Sequence, residues 1–187
     1  MLRAILAFVS LISAVTAATA PTPVANLNVT NYYGRWFQVY SDIAVIATFE
    51  NNSYCVTADY APNPNGTISV TNRERNYNVS GPERRILGWA DTPNPAKPGE
   101  LQVHLQTTQF GAPYWVLNLG PLVNGLYDYS VVSDNFQLTL FVLARNLTRF
   151  AALYDSTVRA FLKEAGFTTI LNSPIPTIQQ GCTYYRV

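Results

Sequence analysis

The side chains in this chain that could carry chemistry are few and dispersed. Its one histidine, His104, could act as a general base or ligate haem iron, and its two cysteines, Cys55 and Cys182, could supply a thiolate nucleophile. The surrounding residues favour neither role. Val103 and Leu105 flank His104 on a strand-like run, so alternation turns the imidazole away from the face those two apolar residues occupy. Asp59, Asp91 and Asp128 are too far apart in sequence to read as an acid–base pair, and no spacing of His, Cys, Asp or Glu suits a metal ion. The chain therefore reads as a non-enzyme, with no metal and no cofactor expected.

The elements that must position these residues begin with an export signal. Met1-Leu2-Arg3, an apolar run from Ala4 to Val15 and the small residues Thr16, Ala17 and Ala18 describe a secretory leader over 1–17, too short to span a membrane comfortably. The expected location is extracellular. In that compartment an even pair of cysteines is expected to be oxidised, so Cys55 and Cys182 are paired, leaving no thiol for catalysis. Five N-x-S/T triplets, at Asn28, Asn51, Asn65, Asn78 and Asn146, fall in or beside predicted turns and are candidate N-glycosylation sites. A net charge of +1 with 12% charged residues predicts no nucleic-acid partner. One undivided domain fits the 187 residues.

Along the mature chain, 18–30 reads as an exposed Pro- and Asn-rich arm, and eight strand-like runs follow between turn signals: 34–41, 53–60, 67–74, 84–91, 100–107, 114–119, 126–132 and 136–145. Asn65-Gly66 and Asn124-Gly125 mark hairpins. Short turns without intervening helical patterning imply an antiparallel up-and-down meander, and eight strands close into a barrel wide enough for one small ligand. The predicted fold is thus all-β, an eight-stranded barrel over 34–145 within a domain spanning 31–187. Apolar residues at helical spacing, Tyr154, Val158, Phe161, Leu162 and Ala165, predict one α-helix over 150–166 packed outside the barrel, followed by a tail over 173–187 held by Cys182. Ile43-Ala44-Val45-Ile46-Ala47-Thr48-Phe49, apolar without alternation, reads as a long loop at the barrel mouth, a contact for membrane or lipoprotein or a lid folded inward.

Four stretches resemble the lipocalin family, of the apolipoprotein D and bacterial outer-membrane type: Gly34-Arg35-Trp36 opening the first strand, Thr48-Phe49-Glu50-Asn51, Ala112-Pro113-Tyr114-Trp115, and Leu143-Ala144-Arg145 ending the last. The resemblance implies that Arg145 lies across Trp36 beside Gly34 and closes the barrel floor, a cation over an aromatic face. It also implies a bridge from the second strand to the C-terminal tail. The family's T-D-Y run is not kept at the aligned place, which reads Asn124-Gly125-Leu126, with Asp128-Tyr129 slightly later.

Alternation from these anchors assigns an inward face. With Cys55 outward, Tyr54, Val56, Ala58 and Tyr60 point in; apolar alternation adds Ile68, Val70, Ile86, Gly88, Ala90, Leu101, Val103 and Leu105, and counting from Trp36 and Arg145 adds Gln38, Tyr40, Phe141 and Leu143. Trp89 turns outward beside Leu87, where it could extend the rim or form a weak dimer contact on an otherwise monomeric protein. The implied interior is oily and aromatic and suits a fatty acid, sterol, retinoid or similar lipid, which the protein would bind and carry. A lipocalin-fold enzyme such as an isomerase or de-epoxidase, or a pigment-binding multimeric subunit, are the alternatives the resemblance leaves open; the isomerase type needs a free cavity cysteine.

Overall fold

The computed structural model describes residues 21–185; the expected leader over 1–17 lies outside them. After a short 3-10 turn, Val29–Tyr32, the elements run β1 Gly34–Ser41, α1 Ile43–Thr48, β2 Ser53–Pro62, β3 Ile68–Asn76, β4 Glu83–Asp91, β5 Glu100–Leu105, β6 Ala112–Leu119, β7 Leu122–Val123, β8 Leu126–Tyr127, β9 Tyr129–Ser133, β10 Leu140–Ala144, α2 Leu147–Leu153, α3 Asp155–Glu164 and β11 Ile175–Pro176. Strands β1 to β6, β9 and β10 pair antiparallel with their neighbours, and β10 pairs back to β1, so the sheet closes as an eight-stranded barrel. Strand β11 adds to the half of β1 that β2 has left, at Tyr40 and Ser41.

Several local features depart from simple alternation. Val39 is an extra residue in β1, since Gln38 opposes Leu143 while Tyr40 opposes Val142. A second bulge holds Cys55 and Val56 opposite Glu74 alone, with Cys55 at φ +59°. Each bulge shifts the inward face by one residue on either side of it. The expected single strand over 126–132 is instead the tip of a small β7–β8 hairpin, turned at Asn124 and Gly125 with φ of 52° and 78°, and then β9. Both turn residues occupy the left-handed region that a two-residue hairpin demands.

The expected mouth loop over 43–49 is the helix α1. Asp42 caps it, its Oδ1 accepting from Val45 N at 2.8 Å, and Val45 is fully buried while Ile43 and Phe49 are exposed. The expected single C-terminal helix is two, broken at Tyr154, and its cap is Asn146, whose side chain accepts from Arg149 N. Both pack on the outer wall: Phe150, Val158 and Leu162 are buried against Leu117, Val131, Leu140 and Val142. The N-terminal arm is not free. Val24 donates to Val116 O at 2.8 Å, and Leu27 is buried with Trp36 beneath the barrel.

Candidate functional site

The barrel is plugged from below by a residue pair at the two ends of its first and last strands. Trp36 is fully buried, and the Arg145 guanidinium carbon lies 3.6 Å from its ring centroid. Arg145 donates to four main-chain carbonyls, those of Tyr32, Tyr33, Arg35 and Tyr127, at 2.7 to 3.2 Å, and Trp36 Nε1 donates to Tyr32 O. Burial lowers the Arg145 pKa to about 10, which leaves it charged at neutral pH. Gly34 makes the turn possible: its φ is +96°, and a Cβ there would stand 3.3 Å from Arg145 Nη1. Asp128 belongs to the same floor, receiving Arg149 Nε at 2.6 Å and accepting Arg145 N on its carbonyl, so the displaced Asp-Tyr pair remains beside Arg145.

Above this plug lies a cavity of about 260 Å³. Its wall includes Gln38, Val56, Ala58, Tyr60, Val70, Ile86, Val103, Leu105, Phe141 and Leu143, ten of the positions that alternation turned inward. Tyr40, Tyr54, Ile68, Gly88, Ala90 and Leu101 are not part of that wall. The Val39 bulge turns Tyr40 out of the barrel, where its hydroxyl donates to Asp155 Oδ1 at 2.5 Å and receives Arg159 Nη2 at 2.6 Å. The Cys55 bulge does the same to Tyr54, which pairs across the sheet with Arg75 on the outer face. Ile68 and Leu101 do face in, but below the cavity, packed into the core that contains Leu27, Tyr32 and Trp36. Outside the wall, Trp89 and His104 stack on one another at 3.8 Å, and Cys55 is joined to Cys182.

The cavity is not uniformly oily. At its lower end the hydroxyls of Tyr60 and Tyr114 lie 3.0 Å apart and those of Tyr114 and Tyr32 2.9 Å apart, and Tyr32 donates to Ser130 at 2.8 Å. Because Tyr32 spends its one proton on Ser130, Tyr114 donates to Tyr32 and Tyr60 to Tyr114. The chain ends on the Tyr60 oxygen as an acceptor. Burial pushes the Tyr32 hydroxyl up to about 12 and those of Tyr60 and Tyr114 up as well, so all three stay protonated.

At the mouth, Gln38 donates to Glu50 Oε2 at 2.6 Å, while Arg84 ion-pairs with the buried Glu74 and donates to Phe49 O at 3.0 Å and Ser53 Oγ at 2.9 Å. Arg73, also at the wall, sends its guanidinium to Glu83 at 2.7 Å and Asp59 at 3.5 Å. Among the described residues Glu50 forms no salt bridge, and its carboxyl is pushed up to about 7, chiefly by burial and further by the Glu74 charge. Alternation could have revealed this cluster. Glu74 follows Ile68 and Val70 at even spacing on β3 and Arg84 precedes Ile86 on β4, although apolar alternation alone passes over both.

Comparison with known proteins adds a family to this geometry. Residues 27–173 match the family described as a lipocalin-like domain. Apolipoprotein D of Mus musculus is 32% identical over 98 residues, covering 52% of this chain and 49% of that protein, so the chain spans about half the length of the apolipoprotein D relatives it matches. The outer membrane lipoprotein Blc of Vibrio cholerae is 30% identical over 147 residues, covering 79% of this chain and 81% of that one. Among solved structures, lobster apocrustacyanin A1 superposes with a TM-score of 0.57 at 19% identity, covering 89% of this chain and 94% of that one, a likeness of fold.

Proposed function

This chain belongs to the lipocalin family, and from that premise we propose that it binds and carries one small hydrophobic ligand inside the barrel. The observation that carries this reading is the cavity of about 260 Å³ standing directly above the Trp36–Arg145 plug, with Val56, Val70, Ile86, Leu105, Phe141 and Leu143 in its wall. An apolar hollow with a few oriented polar groups is what a lipophilic molecule needs in order to leave water. The role is binding rather than catalysis: with Cys55 and Cys182 in one bridge, a reaction through a cavity thiol has no nucleophile here. The test is titration of fatty acid, sterol and retinoid into the folded protein, with saturable one-to-one binding at micromolar or better affinity expected, and lost when Val70→Trp fills the wall. Failure of every ligand in the panel to bind would overturn the reading.

A second feature supports delivery from a lipid surface. Ile43 opens α1 and Phe49 caps its end, Tyr77 lies in the β3–β4 turn, Phe110 in the β5–β6 turn, and Phe136 and Leu138 in the β9–β10 turn; all are exposed, and all lie at the mouth end. Such a ring is suited to dipping into a membrane or lipoprotein surface while the mouth faces it. Flotation with phosphatidylcholine vesicles, compared between the wild type and a Phe110→Ser/Phe136→Ser variant, tests this contact. We assign the protein to the extracellular space, a placement supported by the solvent exposure of Asn28, Asn51, Asn65, Asn78 and Asn146. At Asn28 and Asn146 the side-chain oxygen caps a helical turn, which leaves the nitrogen for a glycan.

A further inference from the structure

Resting on the carrier reading, we propose that the ligand this cavity selects carries a protonated amine, held by Glu50 at the mouth with its apolar body against Val56, Ile86 and Leu105 below. Two carboxylates, Glu50 and Glu74, and two guanidinium groups, Arg73 and Arg84, meet at this end of the cavity, and they are not paired off evenly. Arg84 is committed to Glu74, to Phe49 O and to Ser53 Oγ. Arg73 is turned to Glu83 and Asp59. Glu50 has a single side-chain donor, the neutral amide of Gln38, which is itself 2% exposed and shared with Thr177 Oγ1 at 3.0 Å. A half-buried carboxylate in the cavity wall with no salt bridge among the described residues is the position that a ligand cation would fill, and against an apolar wall the pair is stronger than in water.

The opposite end of the cavity agrees in polarity. The hydroxyl chain from Tyr60 through Tyr114 and Tyr32 to Ser130 leaves the Tyr60 oxygen as an acceptor. The Tyr60 oxygen below and the Glu50 carboxylate above thus both accept hydrogen bonds. A fatty acid would bring its negative charge to the end where Glu74 and Glu50 already stand, whereas a long-chain or aromatic amine brings the missing charge. The raised Glu50 pKa, about 7, is the signature of the same imbalance and is expected to fall on amine binding.

Decylamine, decanol and decanoate share one apolar body and differ only in the head group, so calorimetric titration of all three into the wild-type protein at pH 8 separates head-group selection from simple burial. The expected order is amine tightest, by about tenfold or more over the alcohol, and carboxylate weakest. In Glu50→Gln the amine-to-alcohol ratio should collapse to near one. Equal affinity of amine and alcohol in the wild type, tighter binding of decanoate, or an unchanged ratio in the folded variant would overturn the proposal while leaving the carrier reading intact. Binding by none of the three would overturn the carrier reading itself.

Discussion

Arg145 stands over Trp36 at 3.6 Å and, in the same position, joins four carbonyls of the chain on either side of it. The cation is therefore a fastener between the segment around Gly34, the end of β10 and the β8 strand, and among the described residues no carboxylate forms a salt bridge with it. Arg145→Ala should leave those carbonyls and the indole uncovered and cost about 3 kcal/mol in urea denaturation. Arg145→Lys keeps the charge but not the planar fork, and should recover less than half of that loss.

The bridge from Cys55 to Cys182 closes 127 residues, nearly the whole barrel with both outer helices. On the chain-entropy account its removal in a Cys55→Ser/Cys182→Ser variant lowers stability by about 5 kcal/mol, read from the denaturation midpoint with and without reductant on the wild type.

Tyr40 and Tyr60 sit on neighbouring strands but on opposite sides of the barrel wall. Tyr40→Phe removes the link from β1 to Asp155 and Arg159 on α3 and should cost about 1 to 2 kcal/mol of stability with ligand affinity unchanged. Tyr60→Phe ends the hydroxyl chain at Tyr114 and should change the affinity for ligands that donate a hydrogen bond. Paired measurements of thermal stability and binding on both variants check this division.

Glu50 makes a pH dependence of defined sign. Its pKa rises from 4.5 in the open chain to about 7 when folded, so its contribution to stability is fully present below pH 4.5 and is lost as pH climbs through about 7. The charges that set this value are Glu74 and Asp42, which raise it, and Arg84, which lowers it. Glu50→Gln should accordingly gain on the wild type by roughly 2 kcal/mol between pH 5 and pH 8. Measuring both proteins side by side isolates Glu50 from Asp42, whose pKa is raised to about 6 and shifts stability in the same direction.

The order of the barrel strands was legible because each strand alternates locally and each turn carries its own residues, as at Asn124-Gly125. The bulges were not. An extra residue at Val39 or at Cys55 leaves no mark in a short window, yet it reverses the face of everything beyond it, which is why Tyr40 and Tyr54 fall outside the wall that alternation assigned them. The helix α1 had one signal that could have shown it, Asp42 placed three residues before Val45 as a cap, but a six-residue apolar run otherwise reads equally well as loop.

Local chemistry written along the chain thus determined the eight strands, the cysteine pair and the apolar face above the floor, while the guanidinium over the indole came from the resemblance to the lipocalin family. Only the closed barrel decided which polar groups share that interior. Glu50, Glu74 and Arg84 come from three separate segments, and whether a carboxylate has a cation beside it depends on how those segments meet, a relation that no single stretch of sequence contains.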